Sequence, residues 1–117
     1  MQYIKQNKAN LHTHTNFCDH AKGSVSDYVK AAERAGLEAL GFTEHAPVPG
    51  NPLSPNMMTE NLAGYVKAVK SAKETAKLKV FLAAECDFEP ILENFYRDEL
   101  LGRHGFDYLL CSIHIYF

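Results

Sequence analysis

Apolar positions along the chain fall into two alternating patterns. Short apolar runs at Ala9 to His14, Ala39 to Thr43, Lys79 to Glu85 and Asp107 to His114 predict strands. The third, Val80-Phe81-Leu82-Ala83-Ala84, is continuous rather than alternating, as in a strand covered on both faces of a parallel sheet. Between the first two runs, Val25, Tyr28, Val29 and Ala32 recur at helical spacing. Ser24 and Asp27 have the spacing of a capping box there, and Gly36 supplies a stop. Leu62, Tyr65, Val66 and Val69 predict a second helix, with Lys67, Lys70, Lys73 and Lys77 on its solvated side. Leu92, Phe95, Tyr96 and Leu100 predict a third, starting near Pro90 and ending by Gly102 or Gly105. The order is βαβαβαβ, an α/β fold with parallel strands alternating with helices.

Pro47, Pro49, Pro52 and Pro55 crowd the stretch from Ala46 to Met58, directly after the second strand, and predict an ordered non-helical loop that could serve as a lid. A closed barrel of βα units needs roughly 200–250 residues. The 117 residues here supply about half, so the expectation is a single partial domain over residues 1–117, the N-terminal half of a distorted TIM-like barrel. Its last strand would present an open edge through which two chains could associate.

A composition of 46% apolar and 22% charged residues with net charge −2 excludes disorder and coiled coil. Lys and Arg are scattered, which gives no electrostatic case for a nucleic-acid or membrane partner. No apolar stretch nears the roughly 18 residues of a membrane helix. Met1 to Lys8 lacks the apolar core of a signal peptide, so the cytoplasm is the expected compartment. Cys18, Cys86 and Cys111 are odd in number, widely spaced and free of any C-x-x-C pair; they read as reduced thiols packed in the fold.

Chemistry concentrates at the predicted C-terminal ends of the strands, where α/β folds collect their sites. His12 and His14 stand at i and i+2, on one face of a strand, where they can share an ion. A lone pair of this kind is also what two polar residues at a strand end look like. His20 follows shortly after, however, and His45 ends the second strand in Thr43-Glu44-His45. Glu85 closes the apolar third strand, where a carboxylate is costly unless paired or metal-bound, and His114 holds the equivalent place on the fourth. These six candidates, rich in imidazole and carboxylate, suit two or three divalent transition metals (Zn, Mn or Fe) and hence hydrolysis of a phosphoester. Glu44 and Asp87, beside candidate ligands, are either acceptors for imidazole N–H groups or solvent-exposed. His104 reads as a helix-end surface residue.

The segments His12-Thr13-His14-Thr15 through Phe17-Cys18-Asp19-His20-Ala21-Lys22-Gly23, then Phe42-Thr43-Glu44-His45-Ala46-Pro47, Ala84-Glu85-Cys86-Asp87 and Ser112-Ile113-His114, taken in order, resemble the N-terminal motifs of the PHP (polymerase and histidinol phosphatase) superfamily, from about Asn10 to the last residue. The likeness is greatest to its monofunctional histidinol-phosphate phosphatases. The resemblance implies a (β/α)7 barrel and hydrolysis of L-histidinol phosphate to L-histidinol and phosphate, a step of histidine biosynthesis. It implies further that His12 and His14 bind one metal with Glu85, that Glu85 bridges to a second metal bound by His114, and that His20 and His45 hold a third. Glu85 and His114 then belong to the catalytic centre, with a bridging hydroxide as the nucleophile. Such enzymes complete their sites with an aspartate, further histidines and basic groups from the second half of the barrel. The expected activity is therefore a metal-dependent phosphomonoesterase acting on a small phosphorylated substrate. The alternatives are a catalytically weak metal-binding fragment, a PHP phosphoesterase acting on another phosphorylated substrate, or the PHP exonuclease activity found beside DNA polymerases.

Overall fold

The computed structural model describes residues 8–17, 23–49, 59–87 and 89–112. Four strands, β1 (Ala9–Thr13), β2 (Ala39–His45), β3 (Lys79–Asp87) and β4 (Tyr108–Ser112), form one sheet in the order β1-β2-β3-β4 with every pair parallel. An order that never reverses is that of a barrel wall rather than of a doubly wound sheet, whose strand order switches direction. Right-handed crossovers in such a series carry the helices to one face. That face holds the core: Leu40, Phe42, Val80, Leu82, Ala84 and Cys86 from the sheet meet Val25, Val29 and Ala32 from α1 (Val25–Arg34) and Leu62, Tyr65, Val66 and Val69 from α2 (Leu62–Thr75). The alternate residues Gly41, Thr43, His45, Ala83 and Glu85 line the other, inner face.

The sheet curls about that inner face. Across a flat sheet β1 and β4 would stand about 14 Å apart, yet the Tyr108 hydroxyl on β4 donates to the Leu11 carbonyl on β1 at 2.7 Å. The result is a half-barrel.

The first helix forms as its pattern predicts. The Ser24 hydroxyl accepts from the Asp27 N–H at 3.1 Å, the Asp27 carboxylate accepts from the Ser24 N–H at 3.0 Å, and Gly36 takes φ +77° to leave the helix. The second helix is fixed to the sheet by Tyr65, whose fully buried hydroxyl lies 2.8 Å from the Phe42 carbonyl and 2.7 Å from that of Ala83. It thereby spans the β2–β3 seam at a point where unmet polar groups would be costly. Lys67, Lys70 and Lys77 are exposed as expected. Lys73 is exposed as well, and pairs with Asp107 at 2.6 Å. Asp107 also accepts from the Leu82 N–H at 2.8 Å and gives its own N–H to the Leu82 carbonyl at 2.6 Å, so it fastens the start of β4 to β3.

The third helical segment lies within the expected bounds, but its winding is not that of an α-helix. Pro90–Leu92 makes a single 3-10 turn, and Phe95–Arg103 winds as a π-helix that ends with the His104 N–H on the Glu99 carbonyl at 2.9 Å. The wider turn suits apolar residues five apart: Phe95 and Leu100 both pack on the core, Leu100 without exposure. β2 and β3 each run two residues beyond their predicted ends, so His45, like Glu85, stands on a strand. Of the proline-rich loop, Ala46 to Pro49 is described; the remainder lies outside the described residues.

Candidate metal centre

His45 and Glu85 are direct register partners on β2 and β3, side by side on the inner face at its C-terminal edge. His12 and His14 come to the same edge from β1. The Glu85 carboxylate sits between them all. Its Oε1 is 2.5 Å from His12 Nε2 and 3.9 Å from His14 Nε2, while Oε2 is 3.1 Å from His45 Nδ1. The His12 and His14 Nε2 atoms are 3.3 Å apart, and the His14 and His45 rings stack at 4.5 Å with 20° between their planes. One donor atom from each of His12, His14 and Glu85 falls within 4.8 Å of the others, a group able to hold a metal ion.

What lies behind these side chains favours that use. Glu44 is completely buried, with Oε1 3.2 Å from His14 Nδ1 and Oε2 accepting from the Thr15 hydroxyl at 2.7 Å. Thr15 in turn accepts from the Phe17 N–H at 3.3 Å. A carboxylate against Nδ1 holds the proton there and leaves the Nε2 lone pair facing His12 and Glu85. Two imidazole lone pairs converging on a carboxylate oxygen repel one another unless a proton or a cation lies between them. The donor set thus fits a divalent transition metal.

Of the six residues singled out in the sequence, the structure brings His12, His14, His45 and Glu85 together; His20 and His114 lie outside the described residues, as does Cys18. Of the two acidic neighbours, Glu44 faces the His14 imidazole. Asp87 is half-buried, and its backbone carbonyl accepts from the Tyr96 hydroxyl at 3.0 Å. His104 caps the π-helix, half-buried beside Phe106. Sequence reasoning missed Tyr108, whose hydroxyl bond to Leu11 joins positions 97 residues apart, and Gly41, over which that hydroxyl lies.

Cys86 and Cys111 are partners across β3 and β4. Cys86 packs in the core, but Cys111 is exposed, which corrects the expectation that both are packed. Burial, chiefly, pushes the Cys86 thiol up to about 12. Since the thiolate is the nucleophile, Cys86 should resist iodoacetamide at pH 8 while Cys111 reacts. Arg97 and Arg103 put the two on separate tryptic peptides, so mass mapping reads each one. Equal labelling of both in the folded chain would contradict this.

Fold and site together define an α/β half-barrel with a histidine–carboxylate cluster at the C-terminal edge of its strands. Comparison with known families agrees: the PHP domain matches residues 10–117, and the chain belongs to that family. It is 37% identical over 106 residues to a probable histidinol-phosphatase of Deinococcus radiodurans, covering 88% of this chain and 40% of that protein. It is 28% identical over 100 residues to the histidinol-phosphatase of Bacillus subtilis, covering 80% of this chain and 37% of that one. A probable histidinol-phosphatase of Schizosaccharomyces pombe is 25% identical over 114 residues, with 88% and 37% covered. The chain therefore spans about two fifths of the length of these relatives. Among the described residues no helix is long and apolar enough to cross a membrane.

Proposed function

We propose that this chain contributes the metal-binding half of a phosphomonoester hydrolase whose substrate is histidinol phosphate or a closely related phosphorylated alcohol. The carrying observation is that the two oxygens of Glu85 face different imidazoles, Oε1 toward His12 and His14 and Oε2 toward His45. One carboxylate so placed can serve two ions at once. The names of the relatives supply the substrate class.

In this reading His12, His14 and Glu85 would hold one divalent transition metal, and Glu85 and His45 would lie beside a further one. His20 and His114 would join them as further ligands, as the family resemblance implies. When bound, such ions supply Lewis acidity toward a phosphoryl oxygen and toward water. The chain's own groups set the stage. Glu44 keeps the proton of His14 on Nδ1, Thr15 steadies Glu44, and the charge of Glu85 offsets that of the cations. The same reading places the protein in the cytoplasm, in histidine biosynthesis, with a small phosphorylated substrate, no nucleic-acid or membrane partner, and self-association through the open strand edges.

The test is phosphate release from histidinol phosphate by the protein that carries this chain, stripped with a chelator and reloaded with Zn, Mn or Fe. Release that disappears on stripping and returns on reloading is expected. A protein that neither retains metal nor releases phosphate under any loading overturns the reading.

A further inference from the structure

The i, i+2 spacing of His12 and His14 puts both on one face of β1 but does not say which face. Pairing with β2 decides that. Ala9 pairs with Ala39 and Asn10 with Leu40, but Thr13 pairs with Phe42, so β1 spends three residues where β2 spends two. Leu11 and His12 together stand opposite Gly41, which is a β-bulge. Had the pairing continued without it, His12 would have fallen beside Phe42, on the face that packs against the helices, and Thr13 beside Thr43 on the inner face. A one-residue shift of this kind moves every later side chain to the other side of the sheet. The bulge is therefore what delivers His12 and His14 to Glu85.

The peptide unit that joins Leu11 to His12 is held at both ends by side chains. Its N–H donates to Asn10 Oδ1 at 3.2 Å, and its carbonyl accepts from the Tyr108 hydroxyl at 2.7 Å. Tyr108 reaches it by lying over Gly41, where a Cβ would come within 1.9 Å of the tyrosine oxygen. Downstream, the Thr13 hydroxyl donates to the Gly41 carbonyl at 2.7 Å and the Thr43 hydroxyl to the Thr13 carbonyl at 3.2 Å, fastening the shifted register. The bulge thus rests on a strand that is not its neighbour.

We infer that Tyr108 is a positioning residue for the metal centre: its hydroxyl, passing over Gly41, holds the Leu11–His12 bulge and thereby fixes His12 against Glu85. The inference rests on the proposed metal reading and adds to it a residue that touches no ligand atom. Outer partners of metal ligands typically contribute 10- to 100-fold in affinity. Tyr108→Phe, which keeps the ring and removes only the hydroxyl, should weaken Co²⁺ binding about tenfold and alter the ligand-field absorption of the complex. Gly41→Ala should do the same by displacing the hydroxyl.

Two controls make the result specific. In a His12→Ala background, Tyr108→Phe should have no further effect, because its influence passes through His12. In the metal-free chain, the nuclear Overhauser contact between the His12 ring and the Glu85 side chain should be present in the parent and lost in Tyr108→Phe. Retention of that contact in Tyr108→Phe overturns the inference whether or not metal binds, as does an affinity loss of equal size with and without His12. A parent chain that shows the contact yet binds no Co²⁺ overturns the metal reading instead, and the loss or retention of the contact still decides the role of Tyr108.

Discussion

Glu85→Gln is expected to lower the affinity of the chain for divalent transition metals by on the order of 100-fold or more, the upper end of what losing even an orienting partner of a ligand does. In the protein that carries the chain, it should abolish metal-dependent phosphate release. The reason lies in the use of both carboxylate oxygens. Oε1 faces His12 and His14, and Oε2 faces His45 at 3.1 Å. A glutamine has one oxygen and one NH2 group. Turned either way, it presents a donor to one of the two imidazole groups and an uncharged oxygen to the other, so it cannot serve both sides or offset the charge of a cation. Because Glu85 is on the inner face at the C-terminal edge of the sheet, the substitution leaves the helix-facing core untouched and far-UV circular dichroism should not change. Competition against a chromophoric chelator reads the affinity. Parental affinity in a folded Glu85→Gln chain would remove Glu85 from the centre.

Much of this centre was legible in the sequence because it depends on local rules. Strand ends gather chemistry in α/β folds, alternate residues share a face, and an apolar strand that ends in a carboxylate signals a paired or ligating group; those rules singled out His12, His14, His45 and Glu85. The capping box at Ser24 and Asp27 and the helical periods behind Val25 and Leu62 were legible for the same reason. What was not legible is non-local. Nothing in Ala9-Asn10-Leu11-His12-Thr13 announces a bulge, since its support comes from Tyr108 and its room from the missing side chain of Gly41. The π winding of Phe95–Arg103 is likewise tied to the core: Phe95 and Leu100, five residues apart, both pack on it, and the pattern of apolar residues does not say that these two are the ones that do.

Glu44 and Asp87 show the boundary between the two kinds of information. Glu44 directly precedes His45 on β2 and so points to the opposite face from it, whereas Asp87 stands two residues beyond Glu85 on β3 and shares its face. Whether such a carboxylate meets an imidazole depends on what the neighbouring chain brings. Beside Glu44 stands β1, with Thr15 and the rear nitrogen of His14 in reach. Adjacency in sequence could raise the question but not answer it.

Glu44→Ala should therefore weaken metal binding by about 10- to 100-fold without removing any ligand. It should also destabilise the metal-free chain by about 1–3 kcal/mol, the usual consequence of depriving a buried donor of its acceptor. Both effects have one origin. The completely buried carboxylate takes the Thr15 hydroxyl on one oxygen and faces His14 Nδ1 with the other. With it gone, the proton of His14 is free to reside on Nε2, the atom that must present a lone pair to the ion. Glu44→Gln separates charge from geometry. With its amide oxygen toward His14 and its NH2 toward Thr15, whose hydroxyl can turn to accept, it preserves the tautomer and should retain affinity to within a few-fold. Nitrogen-15 shifts of His14 in the metal-free chain report the tautomer directly, and chemical denaturation reports the stability. The order expected in both affinity and tautomer population is parent, then Gln, then Ala. An alanine variant that keeps the Nδ1-protonated ring and parental affinity would show that His14 is oriented by its stacking on His45, 4.5 Å away, rather than by the carboxylate behind it.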